Sequence, residues 1–171
     1  SFEALHFSYY NRHCTRGHNV PTDVHPNQIA KADNSRTNYA QMLPYISSDT
    51  RKHEHVYKNI GTIFREVFEW VSQQIEDLFP DEYSGLRLDA DSLPGNVHTI
   101  AYPFLSVVVN LNVATSAHRD RKDKGLCVVI AIGEFEDGKL CLYEPGLVVP
   151  LHSGDVLLFP SARITHYNIH F

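Results

Sequence analysis

The most constraining feature of this chain is its second half, where short apolar runs follow one another with no helical segment between them. These runs are rich in Val, Ile, Leu and Tyr, which favour strands, and turn residues such as Gly125 and Pro145-Gly146 separate them. Without intervening helices, such strands pair antiparallel in a sandwich or barrel. In chain order the runs are VHTIAY, LSVVVNLNV, LCVVIAIG, KLCLYE, LVVPL, DVLLFP and RITHYNIHF.

A different periodicity marks residues 51–80. Apolar residues recur there at steps of three and four, which is the pattern of an amphipathic helix. Pro80 is predicted to end this helix, and we expect the helix to pack against one sheet of the β-rich half. Its predicted apolar face comprises Val56, Ile60, Ile63, Phe64, Val67, Val71, Ile75 and Leu78.

The length of 171 residues indicates one domain, residues 1–171, with a core of its own. We predict a mainly β fold with supporting helices, in which residues 1–95 form a helical and loop supporting region and residues 96–171 form the β core. Residues 1–50 mix Pro, Gly, Asn and Asp without a sustained period, as loops do. The spacing of His13, Cys14, His18 and His25 matches no ordinary zinc pattern, and their role stays open.

Composition excludes several classes of protein. No apolar run approaches the roughly 18 residues of a membrane helix, so we expect no membrane partner. Three cysteines without a CxxC pair favour a reducing, intracellular compartment, either nuclear or cytoplasmic. The net charge of −5 argues against a broad basic surface for nucleic acid. Nothing in the sequence indicates an oligomeric state.

The charged loop TSAHRDRKDKG carries the best candidate chemistry. In an extended chain His118 and Asp120 point to the same side, and His166, on the last strand, can supply a third ligand. Two histidines and one carboxylate on one face of a metal leave the opposite positions open, as in non-heme Fe(II) oxygenases. The basic residues of the loop alternate with acids and are read as solvated, with phosphate contacts as the alternative. They are Arg119, Arg121, Lys122 and Lys124.

Three segments in order, HRD, KGLCVVIAIGEFEDGKLCLYEPGL and SGDVLLFPSARITHYN, carry a family resemblance. Residues 97–171 resemble the double-stranded β-helix, a cupin-like jelly roll, of the 2-oxoglutarate- and Fe(II)-dependent dioxygenases, in particular the fungal-type TET/JBP-like members. The resemblance implies that His118, Asp120 and His166 hold Fe(II), which binds 2-oxoglutarate and O₂. It also implies hydroxylation of a C–H bond with release of succinate and CO₂.

The same resemblance suggests a substrate, and the positions of residues on the predicted strands suggest further binding residues. The substrate it suggests is the methyl group of 5-methylcytosine or thymine in nucleic acid, with the base flipped out of the duplex. Asn112 and Tyr102, on the strands before the HxD loop, are expected to donate hydrogen bonds to the co-substrate. Asn168 follows His166 on the same face and is expected to line the pocket or lie exposed.

One part of the family pattern is absent from this sequence. In the family a basic residue on the strand after the distal histidine binds the far carboxylate of 2-oxoglutarate, whereas this sequence ends at Phe171. We expect that residue beyond position 171, and we expect the β core described here to lack its last strand.

Two alternatives have other functions. A cupin-like module would bind a metal or small ligand without oxygenase activity, but cupins usually carry HxH where this chain has His118 and Asp120, and Glu144 would have to supply the acid. A degenerate domain that keeps the fold for protein interaction is the other alternative.

Overall fold

The computed structural model describes residues 3–10 and 44–169. Helices account for 33% and antiparallel strands for 25% of the structure, so the fold is mixed rather than mainly β. The described residues fall into two compact units, one of residues 4–10 and 44–109 and one of residue 3 with residues 110–169. The single-domain assignment stays a prediction. His13, Cys14, His18 and His25 lie outside the described residues.

The first unit is built mainly of helices. Its helices are α1 (Ser48–Lys52), α2 (Glu54–Ile63), α3 (Arg65–Leu78) and α4 (Pro80–Asp91), followed by a short 3-10 turn at Pro94–Asn96. Strands β1 (Glu3–Tyr10), β2 (Tyr45–Ile46) and β3 (Ser106–Leu111) form a sheet in the order β2-β1-β3, with β1 and β2 antiparallel. None of the described helices is long and apolar enough to span a membrane.

The prediction of one long helix over residues 51–80 is wrong in its continuity, because the helix is interrupted at His53 and at Phe64. Phe64, with φ −100° and ψ 12°, leaves helical geometry and separates α2 from α3. Hydrogen bonds from Phe64 N to Ile60 O and from Phe68 N to Phe64 O continue across the break, which explains why the apolar period does not reveal it. Pro80 begins α4, because proline suits the first turn of a helix, where its missing N–H has no partner to lose.

The apolar face of these helices is only partly buried. Val71 and Ile75 of α3 lie in the core, whereas Ile63 and Leu78 are 73% and 66% exposed. Tyr57 of α2 is buried beside two aromatic rings of β1, those of Phe7 and Tyr9, with centroid distances of 5.4 and 5.7 Å. The expected packing of these helices against the β core stays a prediction.

The first of the predicted strands, VHTIAY at residues 97–102, is wrong, because residues 97–99 have no regular structure and residues 100–102 form a turn. Two hydrogen bonds that involve side chains are formed here in place of a strand ladder. Thr99 Oγ1 donates to Phe104 O at 2.6 Å, and Ile100 N donates to the Tyr57 hydroxyl at 3.1 Å. β propensity alone could not anticipate these contacts, one of which spans 43 residues.

The second unit is built from short antiparallel strands, and each of the last five predicted runs contains one, whereas the run LSVVVNLNV contains β3. One sheet pairs β4 with β7, and another has the order β6-β5-β8. No closed barrel is present among the described residues, so the jelly roll is not confirmed. The strands are β4 (Cys127–Ile130), β5 (Leu140–Leu142), β6 (Leu147–Val149), β7 (Val156–Phe159) and β8 (His166–Asn168).

A small apolar core holds β5 and β7 in this unit. Leu140, Leu142 and Phe159 are buried there, and partly buried neighbours from the other strands pack against them. Burying each such side chain contributes roughly 1.5–3 kcal/mol. The register then pairs Leu142 with His166, so the packing of β5 decides where the first residue of β8 lies.

Candidate metal centre

The HxD segment lies beside β8. An isolated antiparallel bridge joins His118 to His166, with N···O distances of 3.1 and 2.9 Å. The two imidazole rings are therefore neighbours, with centroids 4.4 Å apart.

Asp120 completes the cluster. Its carboxylate oxygens lie 3.7 Å from His118 Nε2 and 3.5 Å from His166 Nε2, and the candidate ligand atoms of the three residues are all within 4.8 Å of one another. The backbone N–H of Asp120 donates to the carbonyl of Ser161 at 3.2 Å. Ser161 is fully buried and donates from its hydroxyl to Asp123 at 2.7 Å, which anchors the loop after Asp120.

Hydrogen bonds orient both imidazole rings in the same way. Nδ1 of His118 lies 2.7 Å from Ser116 O, and Nδ1 of His166 lies 3.0 Å from Ile164 O. A carbonyl can only accept, so each Nδ1 carries the proton and donates it. In the neutral ring the lone pair is then on Nε2, the atom that faces Asp120. This is the usual arrangement of a histidine that binds a metal.

The three side chains could hold a divalent ion. Ligand atoms at about 2.1 Å from one ion and at right angles lie about 3 Å apart, and the spacings of Asp120 to the two histidines are slightly wider. His166 is 9% exposed and packs edge-on against Phe159 at a centroid distance of 4.9 Å, while the side chains of His118 and Asp120 are 41% and 37% exposed. Such a site is shielded from solvent on the side of His166 and open to solvent on the side of His118 and Asp120.

Glu144 is engaged elsewhere. Its carboxylate accepts hydrogen bonds from Arg119 and Thr165, and it is not part of the metal-binding cluster. The hydrogen bond from the Thr165 side chain is the main reason that the pKa of Glu144 is lowered to about 2. The cupin-like alternative, which needs Glu144 as a metal ligand, therefore lacks its acid in this geometry.

Asn168 lies on the same strand as His166. Its side-chain amide bonds to Thr115 and donates to Val113 O at 2.5 Å, which uses both hydrogen bonds of its oxygen and one of its two N–H groups. Asn168 thus holds the segment that leads to His118, and a role in lining the pocket stays a prediction.

The other two predicted co-substrate residues are placed less directly. Asn112 is exposed with φ 52° and lies just past the end of β3 at Leu111, so it is not on the strand where it was expected. Tyr102 belongs to the helical unit, where its hydroxyl donates to Asp91 at 2.8 Å. Burial and that hydrogen bond raise the pKa of Tyr102 to about 12. Contacts of either residue with a co-substrate stay predictions.

Sequence reasoning missed the residues that support the cluster from outside. Thr115, Arg119, Glu144, Ser161 and Thr165 all make hydrogen bonds around it. Two of them had a visible signal, because Arg119 lies between two candidate ligands and Thr165 directly precedes the third. Arg119 is exposed, as expected of a solvated residue, and it is also bonded to Glu144.

The chain matches no protein-family model, no curated protein and no solved structure. The geometry of the cluster and the motifs in the sequence are therefore what bear on its function.

Proposed function

We propose that this protein is an Fe(II)- and 2-oxoglutarate-dependent dioxygenase that hydroxylates a substrate C–H bond. The observation that carries the proposal is the cluster of His118, Asp120 and His166, in which both histidines direct Nε2 toward one carboxylate. Two histidines and a carboxylate with open positions opposite them are the ligand set of non-heme Fe(II) oxygenases.

Each residue of the proposed site would have its own role. His118, Asp120 and His166 would hold the iron, and Phe159 would shield the ring of His166 from water. When bound, Fe(II) with 2-oxoglutarate and O₂ supplies the oxidising chemistry, in which the co-substrate loses CO₂ and the substrate gains a hydroxyl group. The exposed side, at His118 and Asp120, would leave room for co-substrate and substrate.

The double-stranded β-helix is part of this proposal. Two structural features support it: the strands of the second unit pair antiparallel, and the HxD segment lies beside β8 through the bridge at His118 and His166. The substrate, the methyl group of 5-methylcytosine or thymine in nucleic acid, is proposed on the sequence resemblance. Such a base would have to leave the duplex to reach the iron.

An intracellular location, nuclear or cytoplasmic, belongs to the same proposal. Cys127 and Cys141 are free thiols, as expected in a reducing compartment. A reducing compartment also favours iron in the Fe(II) state.

An anaerobic Fe(II) titration with and without 2-oxoglutarate tests the proposal. Chelation of iron by a 2-oxo acid produces a weak visible charge-transfer band, which we expect to need both components and to vanish in His166→Ala. The matched control is His152→Ala, because His152 is an exposed histidine that bonds Asp155 and lies outside the cluster. The titration uses the chain at its full natural length, so that any basic residue past Phe171 is present.

Each outcome of the titration has a distinct meaning. A band lost in His166→Ala and kept in His152→Ala would support the iron site and justify assays on methylated DNA. Tight metal binding without a band would rule out the oxygenase and favour a cupin-like metal-binding module. No metal binding at all would rule out both and favour the degenerate interaction domain.

A further inference from the structure

Glu144 lies at the meeting point of the segments that carry the candidate ligands. It follows β5 by two residues, and the β5–β8 pairing continues past Leu142 through the hydrogen bond from Tyr143 N to Thr165 O at 2.8 Å. This register places the Glu144 carboxylate next to Thr165, the residue before His166.

The carboxylate of Glu144 is bound from two directions. From β8, Thr165 donates its backbone N–H to Oε2 at 2.5 Å and its hydroxyl to Oε1 at 2.6 Å. From the HxD segment, Arg119 Nη2 donates to Oε1 at 2.5 Å and Arg119 Nε donates to Thr165 Oγ1 at 2.9 Å. The three side chains therefore form a closed set of hydrogen bonds.

Two members of this set, Arg119 and Thr165, are next to candidate ligands in sequence. Arg119 lies between His118 and Asp120, and Thr165 directly precedes His166. Neighbouring residues in an extended chain point to opposite faces, so the set lies behind the face that carries the ligands. A movement of Arg119 would be transmitted through the backbone to His118 and Asp120, and a movement of Thr165 would be transmitted to His166.

We propose that Glu144 is a positioning residue for the metal centre, acting through Arg119 and Thr165 without touching the ion. The inference rests on the proposed metal site. Changing an outer residue that orients metal ligands typically lowers metal affinity roughly 10- to 100-fold. The backbone bridge at His118 and His166 joins the two segments at one point, and Glu144 adds a second connection next to it.

Titration with Co(II) alone tests the inference, because bound Co(II) has visible bands that report its ligand geometry. We expect Glu144→Gln to raise the dissociation constant about tenfold and to change the visible spectrum, while the metal-free protein stays folded by circular dichroism. The matched control is Glu136→Gln, an exposed glutamate of the same unit, which should behave as wild type.

Two further variants keep the test decisive. Thr165→Val removes one donor to Glu144 with little change of shape, and it replaces Glu144→Gln as the decisive variant if that protein does not fold. We expect it to weaken Co(II) binding and shift the spectrum in the same direction. Arg119→Gln combined with Glu144→Gln should weaken binding no more than the stronger single change, because both remove the same set of contacts.

Three results would overturn the inference in distinguishable ways. Wild-type affinity and spectrum in a folded Glu144→Gln protein would overturn the positioning role and leave the metal site intact. Weaker binding with an unchanged spectrum and a partly unfolded metal-free protein would reduce Glu144 to a structural role. Failure of the wild type to bind Co(II) would overturn the proposed metal centre and the positioning role together.

Discussion

Asn168 Oδ1 accepts hydrogen bonds from both the backbone N–H and the hydroxyl of Thr115, at 2.6 and 2.8 Å. One amide oxygen thus binds both hydrogen-bond donors of Thr115, which lies three positions before His118. Because Asn168 is also on the strand of His166, it ties the two ends of the candidate metal centre together.

Removing this amide should destabilise the protein. We expect Asn168→Ala to lower the free energy of unfolding by about 1–3 kcal/mol, since the hydrogen-bonding groups of Thr115 and Val113 lose a part-buried partner. Asn110→Ala changes an exposed asparagine and should stay within about 0.5 kcal/mol of wild type. Urea unfolding measures both, and equal effects would show that the amide of Asn168 adds no stability.

Two helical glycines should respond to alanine in opposite directions. A Cβ at Gly61 would lie 2.5 Å from Ile100 Cγ2, whereas a Cβ at Gly85 would meet no atom within 4 Å. Alanine favours a helix over glycine by about 0.8–1 kcal/mol, so Gly85→Ala should raise the thermal midpoint. Gly61→Ala should lower it, because overpacking costs about 1–3 kcal/mol. A rise for Gly61→Ala would contradict the close approach to Ile100.

The stabilising effect of Glu144 should depend on pH. Its hydrogen bonds, first those of Thr165, lower the pKa of the carboxyl from 4.5 to about 2. The charged form is favoured by folding, so its contribution is complete above pH 4.5 and is lost as the pH falls toward 2. We expect the difference in unfolding free energy between wild type and Glu144→Gln to shrink over this range. A difference that stays constant in urea unfolding down the pH series would contradict the assignment.

Cys127 should react slowly with alkylating reagents. Burial, and then the nearby charge of Asp123, raise the pKa of its thiol to about 11, so roughly one thiol in a thousand is ionised at a pH of about 8. We expect peptide-resolved mass spectrometry to find little iodoacetamide adduct at Cys127 in the native protein and full adduct in urea. Alkylation in the native protein as fast as in urea would show that the thiol is accessible and ionised.

The cluster of His118, Asp120 and His166 was the part of the candidate site that the sequence could predict. His118 and Asp120 were expected to share a face because an extended chain has a period of two, and His166 was a histidine within the last alternating run. Glu144 could not be found in this way, because it meets Thr165 only through the register of β5 and β8. A shift of one residue in that register would turn its side chain to the other face.

The fold was predictable where local pattern and tertiary structure agree. The runs that became β4 to β8 are bounded by turn residues and carry strand-forming side chains, so their positions were clear. The break at Phe64 was not predictable, because the apolar period continues across it. The prediction of a strand at residues 97–102 was wrong for another reason: Ile100 N donates to the hydroxyl of Tyr57, which is distant in the sequence.

In the proposed metal site, the uneven exposure of His118, Asp120 and His166 would have a kinetic consequence. An ion arriving from solvent would meet His118 and Asp120 first and the buried ring of His166 last, and it would leave in the reverse order. A chelator could then attack the bound ion from the open side while His166 still holds it. Exchange of the metal would need rearrangement of the HxD loop alone, so the metal-free form would refill without unfolding of β8.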